Sequence, residues 1–145
     1  MESNEEGSSL VLVIFASLLA IAVSLSVLSA TSLYLHRKRL LSLADGAALV
    51  GAESFDLDRV SVVDGVARPQ LTSTQVRAAV YEFVASSTPA DLGTVRIDDA
   101  GTRDGLSATV TISAAWHPPI FTFLMPEGIR VDVTSTSRSV FWNSQ

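Results

Sequence analysis

The run from Ser8 to Leu35 contains no charged residue, and nearly every position from Leu10 to Leu28 is Leu, Val, Ile, Ala or Phe. About 20 helical residues cross a hydrocarbon core about 30 Å thick. The run is therefore long enough to span a bilayer with tilt or overhang. A buried core helix of this length would carry a polar face, and none is visible. A secretory leader needs a basic start, a short apolar core and a small-residue cleavage site. Here Met1-Glu2-Ser3-Asn4-Glu5-Glu6-Gly7 is acidic, the run is too long, and Leu28-Ser29-Ala30 imitates a cleavage site poorly. The expectation is a short segment 1–7 and a retained transmembrane helix over 8–35.

Composition narrows the rest. Charged residues make up 17% of the chain, against about 25% in ordinary soluble domains. The absence of cysteine excludes a disulfide scaffold and a thiolate metal or redox site. A net charge of −5 lacks the basic footprint of a nucleic-acid binder. Next to the span stand His36, Arg37, Lys38 and Arg39. The positive-inside rule counts such membrane-flanking cations and on its own places the following domain in the cytoplasm. Within the span, Ala16, Ala20 and Ser24, and again Ala22, Ser26 and Ala30, recur at four-residue spacing. Such rows permit close helix–helix approach in lipid.

No proline interrupts the chain between the span and Ser54. Leu33, Leu40, Ala44, Ala47, Ala48 and Gly51 fall near one face of a 3.6-residue period. The pattern predicts one continuous rod, with 36–54 as its continuation. Gly46 costs about 1 kcal/mol relative to alanine in a helix interior. That cost is tolerable where a sheet or another helix approaches the bare backbone.

The stretch Tyr34–Phe55, YLHRKRLLSLADGAALVGAESF, resembles the N-terminal signature of TadE/TadG-like proteins of Tad (Flp) pilus assembly, in a form like the actinobacterial members. In that family a span precedes a basic patch and a motif like LxxxADAAALAGA. The matching residues are Arg39, Leu40, Leu43, Ala44, Asp45, Ala47, Ala48, Leu49, Gly51 and Ala52. The resemblance implies an N-terminus inside and a head outside the cytoplasm, against the charge rule. Prepilins that are processed carry a glycine with glutamate five residues later, whereas Leu12 holds that position after Gly7. TadG-like members need no such processing.

From Arg37 onward there are 109 residues, enough for one modest core, with the α+β head expected over 55–145. Val60, Val62, Val63 and Val66 around Asp64-Gly65 predict short strands and a turn. Thr72 heads a capping-box pattern with Gln75. Val76, Ala79, Val80, Phe83 and Val84 then follow amphipathic helical spacing, with Pro89 beyond. A short strand over 94–98 and a turn over 101–105 come next. Leu106, Ala108, Val110, Ile112, Ala114 and Trp116 alternate with polar residues, as do Ile129, Val131 and Val133 in a run reaching Phe141. The fold class expected is α+β, a long N-terminal transmembrane helix continuing into a small pilin-like head with an antiparallel sheet.

Candidate chemistry is sparse. Asp98, Asp99 and Asp104 with Gly105 lack the spacing of a calcium loop. Asp56, Asp58 and Asp64 read as loop polarity. His36 and His117 are too few for a zinc site, which takes three or four ligands. Nucleophile-elbow, Walker, zincin and dinucleotide motifs are absent. The expectation is therefore no enzyme, no metal, no cofactor and no small-molecule substrate. Between Pro118-Pro119 and Pro126 lie Ile120, Phe121, Phe123, Leu124 and Met125, beside Trp116. They predict either a turn folded onto the core or an exposed apolar contact for a partner or the membrane.

Together these features point to a single-span membrane component of a Tad-type pilus or secretion machine in the cell envelope. Its partners would be the membrane and other pilin-like or assembly proteins, with Ala44, Ala47, Ala48 and Gly51 as the helix-packing residues. The alternative is a membrane-tethered module whose cytoplasmic domain recruits a protein partner, which the cations Arg37, Lys38 and Arg39 favour.

Overall fold

A computed structural model describes residues 5–55, 61–63, 66–68, 70–119, 122–123 and 125–139. Helix α1 runs unbroken over Glu5–Glu53, 49 residues. At 1.5 Å per residue it is about 70 Å long, more than twice the thickness of a hydrocarbon core. The single rod expected from the sequence is present, and its second half carries the head.

The head follows in chain order. Strands β1 (Ser61–Val63) and β2 (Val66–Arg68) form a small antiparallel pair, with Val62 opposite Ala67. Their predicted turn at Asp64-Gly65 lies outside the described residues. Helix α2 spans Ser73–Ser87. Strands β3 (Val95–Gly101), β4 (Ser107–Trp116) and β5 (Ile129–Arg138) form an antiparallel sheet in the order β3-β4-β5. The architecture is α+β, with α1 against β4, β5 and α2, and α2 also against β3.

Local chemistry explains the boundaries. Thr72 caps α2, its Oγ1 accepting from the Gln75 amide at 3.4 Å. The Gln75 side chain does not complete a capping box, because its Oε1 accepts from the Thr72 hydroxyl instead, at 2.7 Å. At the other end Thr88 donates twice to the Val84 carbonyl, and Pro89 cannot continue the ladder. Strand β3 extends beyond the expected 94–98 to Gly101, with a bulge between Ile97 and Asp99 that keeps its far end in register with β4. Strand β5 ends at Arg138, and Phe141 lies outside the described residues.

The alternating strand pattern reads out as expected. Ala108, Val110, Ile112, Ala114 and Trp116 are buried, and Val76, Val80 and Val84 meet them from α2. From α1 the same core receives Leu40, Leu43, Ala44, Ala47, Ala48 and Ala52. Burying each large aliphatic among these stabilises by about 1.5–3 kcal/mol. The opposite sheet face is polar, with Thr109–Thr136 and Thr111–Thr134 hydroxyl pairs across β4 and β5 at 3.1 and 2.8 Å.

Two glycines of α1 test how tightly the head sits. A Cβ on Gly51 would meet Val76 Cγ1, Ala108 Cβ and Val80 Cγ2 at 3.1–3.3 Å, with α2 and β4 closing in together. A Cβ on Gly46 would meet the end of the Phe83 ring at 2.8 Å, and Phe83 is only half-buried and able to swing. Replacing glycine with alanine gains about 1 kcal/mol in helix propensity, whereas overpacking a closed site costs about 1–3 kcal/mol. Gly51→Ala is expected to lower head stability and Gly46→Ala to leave it near neutral. Thermal unfolding of the two variants in detergent checks this, and equal melting points would contradict it.

Candidate functional site

Leu10, Val11, Leu12, Val13, Ile14, Phe15, Leu18 and Leu19 are among span residues standing 52–69% exposed, so the chain itself covers none of this surface. Soluble monomers do not present apolar patches of that extent. Five hydroxyls in the run are satisfied within the helix. Ser17, Ser24, Ser26, Ser29 and Thr31 each donate to the carbonyl four residues back, at 2.7–3.0 Å. A helix in lipid must meet its polar groups in this way, because no water is available. The helix α1 thus has the length, composition and internal hydrogen bonding of a membrane anchor.

Ser32 is used differently. Its Oγ accepts from the Trp116 indole Nε1 at 3.2 Å, a contact spanning 84 residues of sequence. This bond pins the end of β4 to the last part of the apolar run. Gly128 closes the same corner with φ +70°, where a Cβ would lie 2.8 Å from the Trp116 carbonyl oxygen. Further out, Arg39 pairs with Asp91, and the Ser135 hydroxyl donates to Asp45 at 2.6 Å. Polar ties therefore flank the apolar seam, and the head begins where the apolar run ends.

A cavity of about 750 Å³ opens at this junction, between α1 and the turn Ala90–Leu92 with the end of β4. Leu28, Thr31 and Leu35 line its membrane side, and His36, Arg39 and His117 its outer side. Burial holds His36 below its ordinary value of 6.5, while Asp91 pulls it upward and His117 and Arg39 push it further down. His36 Nε2 is buried with no hydrogen-bond partner among the described residues.

The residues expected to mediate contacts are placed as follows. Ala44, Ala47 and Ala48 are fully buried and Gly51 is buried, all against the chain's own sheet and α2. The neighbour that comes close to these small residues is this chain's own head. Trp116 is also buried, 7% exposed, its indole turned onto α1 rather than toward solvent. In the proline-bounded loop Phe123 is 95% exposed and Met125 49% exposed. Ile120, Phe121 and Leu124 lie outside the described residues. Arg37 and Lys38 project from α1 into solvent, and Arg39 is exposed while paired with Asp91.

Asp104 and Asp98 have other duties, and Asp56, Asp58 and Asp64 lie outside the described residues. Asp104 accepts from the Leu106 and Ser107 amides at 2.9 and 2.7 Å and from the Ser107 hydroxyl at 2.9 Å. These donors pull its carboxyl down to about 2 and fix the β3–β4 turn. Asp98 is lowered by a Ser113 hydrogen bond and by Arg130, whose Nη2 is 2.7 Å away. No group of three or more potential metal ligands occurs among the described residues. Sequence reasoning did not single out Ser32 or Asp91. Neither belongs to a motif, and each acquires its role from a partner far along the chain.

Residues 7–54 match the Tad family model, described as "Putative Flp pilus-assembly TadE/G-like". The match covers nearly all of α1 and stops where the head begins. Neither a curated protein nor a solved structure matches the chain.

Proposed function

We propose that this chain, a carrier of the TadE/G-like segment at residues 7–54, is a non-enzymatic, single-span component of a Tad/Flp-type pilus assembly machine. It serves as a minor pilin-like or anchoring subunit with its head outside the cytoplasm. The observation that carries the reading is the coincidence of the family match with one uninterrupted helix, apolar through its first half and packed under a head in its second. The mechanism is assembly by packing. At 100° per residue, Ala22, Ser26 and Ala30 lie beneath the head, whereas Ala16, Ala20 and Ser24 lie on the far side of α1. That far side continues outward through exposed Lys38 and Leu49. It is the stripe offered to neighbouring pilin-like or platform helices, with Phe123 and Met125 as a second contact on the head. This division of the rod into anchor 8–35, continuation 36–54 and head 55–145 belongs to the same proposal.

A second reading rests on exposed Arg37 and Lys38 next to the span. Under the positive-inside rule they would keep the head in the cytoplasm, as a tethered module recruiting a soluble partner. Topology separates the two. The chain has no cysteine, and Ala78 is exposed on α2. Ala78→Cys is expected to react with a membrane-impermeant thiol reagent on intact cells. Labelling only after lysis would replace the pilus reading with the tethered module.

A further inference from the structure

We propose that the cavity between α1 and the underside of the head holds one anionic phospholipid, its phosphate beside Arg39 and its acyl chain along the Leu28–Leu35 wall. The inference rests on the reading of 8–35 as a membrane span. Four observations converge on it.

Position comes first. The inner wall, formed by Leu28, Thr31 and Leu35, belongs to the apolar run, so in a bilayer the cavity opens sideways into lipid at the headgroup boundary. Its volume of about 750 Å³ admits a headgroup and the upper part of a chain. Second, the inner wall is mostly apolar. The Thr31 hydroxyl donates to Val27, and the Ser32 Oγ accepts from Trp116. An acyl chain meets Leu28, Leu35 and the Thr31 methyl along that surface. Third, the outer wall holds a polar atom without a partner. His36 Nε2 is buried without a partner among the described residues, and a buried polar atom of that kind calls for one. Protonated on Nε2, the ring donates to a phosphate oxygen. Fourth, charge favours an anion. Asp91 is the carboxylate among the described lining residues, and Arg39 already neutralises it. The cavity lining is therefore neutral overall, and Arg37 and Lys38, exposed beside it on α1, are the positive charges near this boundary that attract an anionic headgroup.

The test uses the full chain reconstituted in vesicles of mixed phosphatidylcholine and phosphatidylglycerol, then extracted in mild detergent for native mass spectrometry. The expected result is one retained phospholipid, with phosphatidylglycerol enriched over the vesicle ratio. Arg39→Gln is expected to weaken retention about tenfold, the scale of a lost hydrogen bond to a charged group. Thr31→Trp, which fills the apolar half, is expected to do the same while the helix still inserts. Asp91→Asn breaks the same ion pair as Arg39→Gln yet removes the competing carboxylate, so retention is expected to hold or rise. Loss of lipid in Asp91→Asn would show that Arg39 acts through the ion pair alone and would overturn the proposal. Displacement of the lipid by inorganic phosphate would overturn it too, because the acyl wall would then contribute nothing. A chain that floats with vesicles but retains no phospholipid sinks this inference and leaves the anchor standing. A chain that fails to float sinks the anchor itself.

Discussion

Replacing Ala48 with phenylalanine is expected to unfold the head while leaving the chain in the membrane. Ala48 is fully buried between α1 and the core, one helical turn from Gly51, where even a methyl group would crowd three side chains. An aromatic ring has no comparable space there, because protein interiors are packed to crystal-like density. Forcing a few methylenes into such a site costs about 1–3 kcal/mol, and a whole ring costs more. Against a total stability of about 5–15 kcal/mol for a domain, that removes most of the margin. Insertion depends on 8–35, most of whose side chains the head leaves exposed. Flotation with vesicles should be unchanged, and limited proteolysis should digest the head. A protease-resistant head in this variant would contradict the seam described above. The result also governs how assembly defects are read. Loss of complex formation in Ala48→Phe would follow from loss of the head, so the outer stripe with Ala20 and Leu49 is the better place to probe contacts between subunits.

Ile112→Ala is expected to destabilise the head by about 2–5 kcal/mol. Ile112 is fully buried on the central strand, opposite Ile97 of β3 and Val133 of β5. Both neighbours are held in register by backbone ladders, so the space left by the side chain closes poorly. For a head of this size, each 1 kcal/mol shifts the melting point by about 4–8 °C. Truncating Thr111 to alanine, next along the same strand, removes one hydroxyl pair on the polar face at a cost of about 0.2–1 kcal/mol. The contrast between adjacent positions is the measurement. Similar melting points for Ile112→Ala and Thr111→Ala would mean that the sheet faces are assigned the wrong way round.

Much of this molecule is legible in the sequence because the signals are local. An uncharged run, a 3.6-residue period and a two-residue period each report on neighbours within a few positions. From them follow α1, α2 with its Thr72 cap, the inward set of β4 and the α+β class. The ends are less legible. Strand β3 runs three residues past its expected limit because a bulge lets Asp99, Ala100 and Gly101 find partners on β4. The capping box forms only in part because Thr72 and Gln75 bond to each other through their side chains.

The candidate site divides along the same line. From Ala44, Ala47, Ala48 and Gly51 the sequence by itself determines that some surface comes very close to α1. It does not determine which one, since a bare helix backbone accepts another subunit's helix or the chain's own sheet equally well. Only the tertiary structure decides that the head takes the place, because β4 and α2 carry the complementary Ala108, Val76 and Val80. Trp116 follows the same logic. Its amphipathic ring suits a membrane or a partner, and its donor finds Ser32 across 84 residues. Periodicity is a property of a segment, whereas the partner of a buried group is a property of the folded chain.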